Sequence, residues 1–116
     1  MEALFARLCE YLQMDTEIPY AEFAAYFKDV IAEWQANYQQ YDKETLLKCQ
    51  SIASVVAANA IDRGKENKKD ANAKKFKKMA EKMTFWAQAI ELKLEKEYEM
   101  TKDQVDAEID RLLADV

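Results

Sequence analysis

The sequence has no histidine, one glycine, one proline and two cysteines in 116 residues. Each shortage excludes something. Without histidine there is no Ser-His-Asp or Cys-His pair to activate a nucleophile. Zinc loses its commonest ligand besides cysteine, and Cys9 and Cys49, forty residues apart, cannot build a site alone. One glycine is too few for a P-loop or a dinucleotide fingerprint, and Gly64 does not stand among the spaced acids that an EF-hand loop requires. No Cys-x-x-Cys pair or disulfide framework is present, so two buried thiols in a reducing compartment are expected. Long hydrophobic runs are also missing. The longest, Ile52 to Ile61, is half the roughly 20 residues that span a bilayer. The first residues carry no basic segment of the signal-peptide kind. A soluble cytoplasmic protein, without membrane contact and without a cofactor, is expected.

So few turn-forming residues leave helix as the only regular structure the chain can form in quantity. Half the residues are apolar and a third charged, a globular profile. The expectation is a single all-α domain over residues 1–116, more than about 65% helical against the average for globular chains. It is a compact bundle of four to five mostly antiparallel helices.

Apolar spacing and stop signals divide the chain. Leu4, Phe5, Leu8 and Leu12 share a face over residues 2–14, and the segment 15–19, closed by Pro19, breaks that helix. Residues 20–40 carry Tyr20, Phe23, Phe27, Ile31, Trp34 and Tyr38 at steps of three and four, a one-sided stripe. Asp42 is a natural N-cap for residues 43–63. The second half of that helix is apolar nearly all round and is expected to be buried at the centre of the bundle. Gly64 is placed to end it as a left-handed cap. Asn59, an amide in this apolar run, is expected to be a buried hydrogen-bonded residue that fixes packing register. Asn67 or Asp70 can cap a long fourth helix reaching Glu99, whose core stripe includes Phe76, Met79, Met83, Trp86, Ile90 and Leu94. Thr101 with Gln104 is a capping box that opens a fifth helix. Trp34 and Trp86 both lie on stripes and are expected to be buried.

The net charge of −5 conceals a division. Residues 1–48 and 83–116 each hold nine acids and four bases, whereas residues 49–82 hold four acids and nine bases. All nine bases fall within residues 63–82, and eight are lysines. They suit phosphate neutralisation, so nucleic-acid association through 63–82 is one reading. Lysine is a poorer base reader than arginine, and Phe76 belongs to the core stripe, where it cannot stack on bases. A basic patch between acidic ends equally suits a protein partner or a second copy.

Phe85 and Leu92 form a second apolar strip, off the core stripe of the fourth helix. Something must cover them. Coverage by the first or fifth helix is the commoner arrangement, and an exposed contact for another molecule is the alternative. Glu91, Glu95 and Glu99 align at i, i+4 and i+8, but without a Glu-x-x-His pair they are read as a solvated face.

These observations favour association over catalysis. The expected function is a non-catalytic binding or regulatory protein that docks a folded macromolecular partner, as an inhibitor in one form. Its contact set is Arg63, Lys65, Lys68, Lys69, Lys74, Lys75, Lys78, Phe85 and Leu92. No catalytic, cofactor or metal residue is assigned. The alternative is the nucleic-acid reading.

Overall fold

The structure is a computed structural model that describes residues 1–66, 71–114 and 116. Among these it has five α-helices and no strand, and 84% of the described residues are helical. The helices are α1 (Glu2–Leu12), α2 (Tyr20–Asn37), α3 (Lys43–Glu66), α4 (Ala73–Tyr98) and α5 (Lys102–Leu112), with a 3-10 turn over Tyr38–Gln40.

Local chemistry sets most of the boundaries. Pro19, which cannot donate, takes the N-cap of α2. Asp42 accepts from the Thr45 amide at 2.9 Å ahead of α3. The Thr101–Gln104 capping box opens α5 with reciprocal bonds of 3.2 and 2.9 Å. The C-terminus of α4 turns on Glu99, which takes the left-handed conformation at φ 55°. This lets the Glu99 and Met100 amides both reach the Leu94 carbonyl, and Met100 folds into the core. The expected caps Asn67 and Asp70 lie outside the described residues.

Gly64 does not end α3. The helix runs on to Glu66, and Gly64 keeps a helical, negative φ. Its role is proximity. A Cβ there would stand 3.7 Å from Phe76 Cβ and 3.8 Å from the Ala73 carbonyl, so the end of α3 lies close against the start of α4. Ala53 and Ala60, both fully buried on the same row of α3, extend this close antiparallel pairing along the two longest helices.

The core gathers on this pair. Ile52 of α3, Met83, Ile90 and Leu94 of α4 and Trp34 of α2 are fully enclosed. Helix α2 joins through its large rings, with Trp34 5.3 Å from Trp86 and Phe23 5.6 Å from Phe76 between centroids. Trp86 is itself only half-buried, because its outer edge opens beside Phe85. Tyr26 donates to the Leu4 carbonyl at 2.7 Å and ties α2 to α1. Tyr38 donates to the Ala89 carbonyl at 3.2 Å and ties the end of α2 to α4.

Helix α3 is central but not buried all round. Ser54, Ala58 and Ile61 form an exposed edge. Serine and alanine lose little by facing water, so this edge tolerates solvent despite its apolar composition. Asn59 is half-buried and donates to Val55 O of its own helix at 3.0 Å, a bond that fixes no register between helices.

Candidate functional site

The basic segment is divided by the helical twist of α4. Lys65, Lys74, Lys75 and Lys78 are all exposed. Lys75 turns toward α2, its Nζ 5.6 Å from the Tyr20 ring. Lys74 turns the other way, toward α3, and meets Lys65 and Lys77 along the seam between the two helices. Lys77, absent from the expected contact set, belongs with them. Lys68 and Lys69 lie outside the described residues.

Arg63 is not on this surface. It is 6% exposed and lies on the inner side of α3. Its guanidinium stands 4.7 Å over the Phe23 ring and 5.9 Å from that of Phe76, and its Nε is 3.7 Å from Glu17. A flat, weakly hydrated guanidinium can be buried against aromatic faces where an ammonium would be costly, so the one arginine of the segment separates from its lysines. The signal is present in the sequence. Arg63 continues the row Cys49–Ala53–Val56–Ala60, at the spacing of a buried helix face.

Phe85 and Leu92 are exposed, at 69% and 49%. Internal coverage by α1 or α5 does not occur. The two side chains stand on the outward side of α4. A shallow depression beside Phe85 is walled by Trp86 and by Ile31 of α2. An apolar strip of this kind with polar neighbours is the type of surface at which proteins meet.

Two further features lie elsewhere. A cavity of about 260 Å³ opens between α1, the 13–19 connection, α2 and α3. Its wall is of mixed polarity, in which Arg63 and Asn59 stand with Asp15, Thr16 and Glu17 among apolar and aromatic side chains. Glu91, Glu95 and Glu99 border an open depression at the end of α4. Among the described residues no group of three potential metal ligands is gathered closely enough to hold an ion.

The nucleophile inventory is equally sparse. Both cysteines are free. Burial pushes the Cys49 thiol up to about 12, so it is protonated at neutral pH and unreactive. Burial likewise raises Tyr26, which stays a neutral donor.

No protein-family model, curated protein or solved structure matches this chain. No helix among the described residues is long and apolar enough to cross a membrane.

Proposed function

We propose that this chain is a non-catalytic binding protein that docks a folded macromolecular partner through the outer side of α4 and regulates it by occupying its surface, inhibition being the simplest form. The observation that carries the reading is the exposure of Phe85 and Leu92 on one face of the longest helix. A large aromatic left in water contributes little to folding, whereas the same ring pressed into a partner's pocket is the kind of anchor that dominates binding energy. The flanking lysines add steering toward an acidic surface.

Nucleic-acid association is the second reading, and its supporting observation is the exposure of Lys65, Lys74, Lys75, Lys77, Lys78 and Lys82. The composition around them weighs against it. Phe76, the aromatic interleaved with these lysines, is buried and offers no stacking surface.

The test is capture from host lysate by the wild-type chain and by a Phe85→Asp/Leu92→Asp variant, each with and without nuclease. A defined protein held by the wild type through nuclease treatment and lost by a folded variant is the expected result. Equal capture by the variant refutes the reading, and a nuclease-sensitive catch replaces it with the second one.

A further inference from the structure

The seam between the second half of α3 and the first half of α4 is open to solvent as a groove of about 520 Å³. Its floor is built from small groups. Gly64 has no side chain, and Ala60, Ala73 and Ala80 contribute only methyls. Ile61 stands in it 42% exposed, the one large apolar side chain among the described residues of α3 that the bundle leaves uncovered. Above the floor, Lys65 and Lys74 flank one end and Lys77 the middle, with Glu81 the single acid among the described residues of the wall. Ser54 and Ala58 continue the edge of α3 beyond Ile61, so the exposed row 54–58–61–65 has helical spacing and runs for about 16 Å, three turns.

We infer that this groove receives one amphipathic helix of a protein partner, with apolar residues facing Ile61 and the alanine floor and acidic residues facing the three lysines. The inference rests on the docking function proposed above and names the partner's docking element. The shape argues for a helix. Two helices packed closely over small residues leave a trough whose third-helix position is vacant, and a helix laid there presents anchors at i, i+4 and i+7 over three turns. The charge argues for an acidic one, because three lysines against one glutamate is a local excess of positive charge on a chain whose net charge is −5.

The same features argue against other occupants. A phosphate backbone would use the lysines but gain nothing from Ile61 and the methyl floor. A second copy of this chain has no suitable helix to give. The apolar rows of α1 and α5 are spent inside the bundle, with Leu8 and Val105 buried. The outer side of α4 offers Phe85 and Leu92 seven residues apart with only Ala89 between them, short of the i, i+4 and i+7 anchors the trough would take.

The probe is a synthetic peptide about four helical turns long, with leucines at i, i+4, i+7 and i+11 and glutamates flanking them. It is titrated into the full isotope-labelled chain and followed by amide chemical shifts. Controls are the same peptide with lysine for glutamate and a proline-interrupted version. The expected shifts centre on Ala58, Ile61, Gly64, Lys77 and Ala80. Affinity should fall about tenfold or more with Ile61→Asp or with Lys74→Glu/Lys77→Glu, and should weaken as salt is raised. Lys74 and Lys77 are exposed, so Lys74→Glu/Lys77→Glu should melt close to the wild type. Ile61→Asp should stay folded with a Tm lowered by several degrees, as for Leu92→Asp, and the melt is recorded alongside. Absence of binding overturns the inference. So does equal binding of the lysine or proline peptide, or shifts that centre on Phe85 or on the cavity beside Arg63. Dilution of the chain alone moving the same amides would assign the groove to a second copy. An oligonucleotide binding there as tightly as the peptide would assign it to nucleic acid. The two proposals fail separately. Capture lost with Phe85→Asp but kept with Ile61→Asp removes the groove alone, whereas capture kept with Phe85→Asp/Leu92→Asp removes the α4 docking face whatever the peptide does.

Discussion

Leu92→Asp distinguishes a surface strip from an internal one by the size of the stability change. Leu92 is 49% exposed, so about half of the 1.5–3 kcal/mol gained by fully burying a leucine is at stake, about 1 kcal/mol. Aspartate is a weaker helix former than leucine and costs about 0.5 kcal/mol more in mid-helix. The local charges nearly cancel, because Lys96 at i+4 attracts the new carboxylate while Glu95 at i+3 repels it. The expected loss is therefore about 1–2 kcal/mol. For a chain of this size that is a fall in Tm of about 4–8 °C, with the helical signal intact below the transition. The internal control is two residues away. Leu94 is fully buried, and Leu94→Ala should cost about 2–5 kcal/mol. Circular dichroism melts of the wild type and both variants, at two protein concentrations, make the comparison. A loss for Leu92→Asp that equals or exceeds that of Leu94→Ala would mean that the monomer covers Leu92, and the docking face would lose its basis. A Tm that rises with concentration in the wild type but not in Leu92→Asp would identify the cover as a second copy.

The backbone supplies a paired prediction. Gly64→Ala should stabilise the fold by about 0.5–1 kcal/mol, since φ is helical and the added methyl meets only ordinary contacts. Glu99→Gly should stabilise it by about 1 kcal/mol, because Glu99 occupies the left-handed region that glycine enters without cost. Chemical denaturation checks both, and a loss in either case refutes the assignment of its backbone role. A thiol reagent at mildly alkaline pH should modify Cys9, which is half-buried, well before Cys49, whose thiol burial has pushed up to about 12, with both reacting at once after denaturation. Acid should destabilise the fold through Glu33, whose carboxylate accepts from the Tyr41 hydroxyl and from Asn37 and is thereby held below its ordinary pKa. A lowered folded pKa gives stability that is present above the unfolded value near 4.5 and is lost as pH falls through the lower folded value. Glu33→Gln should therefore flatten the acid limb of the stability–pH curve, and an unchanged limb would refute the role of this bond.

Much of the bundle is written in features that act within a few residues. Pro19, the Asp42 cap and the Thr101–Gln104 box set helix starts by local hydrogen bonding, and each start lies where those residues put it. Features that depend on packing are less visible. Gly64 resembles a helix stop because glycine usually serves as one, yet here it brings α3 and α4 together, and the left-handed residue is a glutamate that no propensity singles out. The run 52–61 is apolar by composition, but Ser54 and Ala58 hold too little apolar surface to force burial, so one edge of α3 stays in water. Charge groups Arg63 with its lysine neighbours, although its place on the row Val56–Ala60–Arg63 is the stronger indicator of where it goes.

The α4 strip shows where such reading stops. Periodicity within one helix marks Phe85 and Leu92 as apolar and off the core row, because Met83, Ile90 and Leu94 already fill that row. Whether they are covered depends on how far the remaining helices reach. Helices α1 and α5 are 11 residues each, and both are engaged elsewhere. Helix α1 is tied to α2 by the Tyr26–Leu4 bond and an Arg7–Asp29 ion pair of 3.1 Å. Helix α5 buries Val105 and sends Arg111 toward Glu44 of α3 at 3.7 Å. Neither has a second apolar face to lay on α4. A bundle that spends both short helices this way leaves the outer side of its longest helix uncovered, and the exposure of Phe85 follows from that shortage of cover, without any strain in α4 itself.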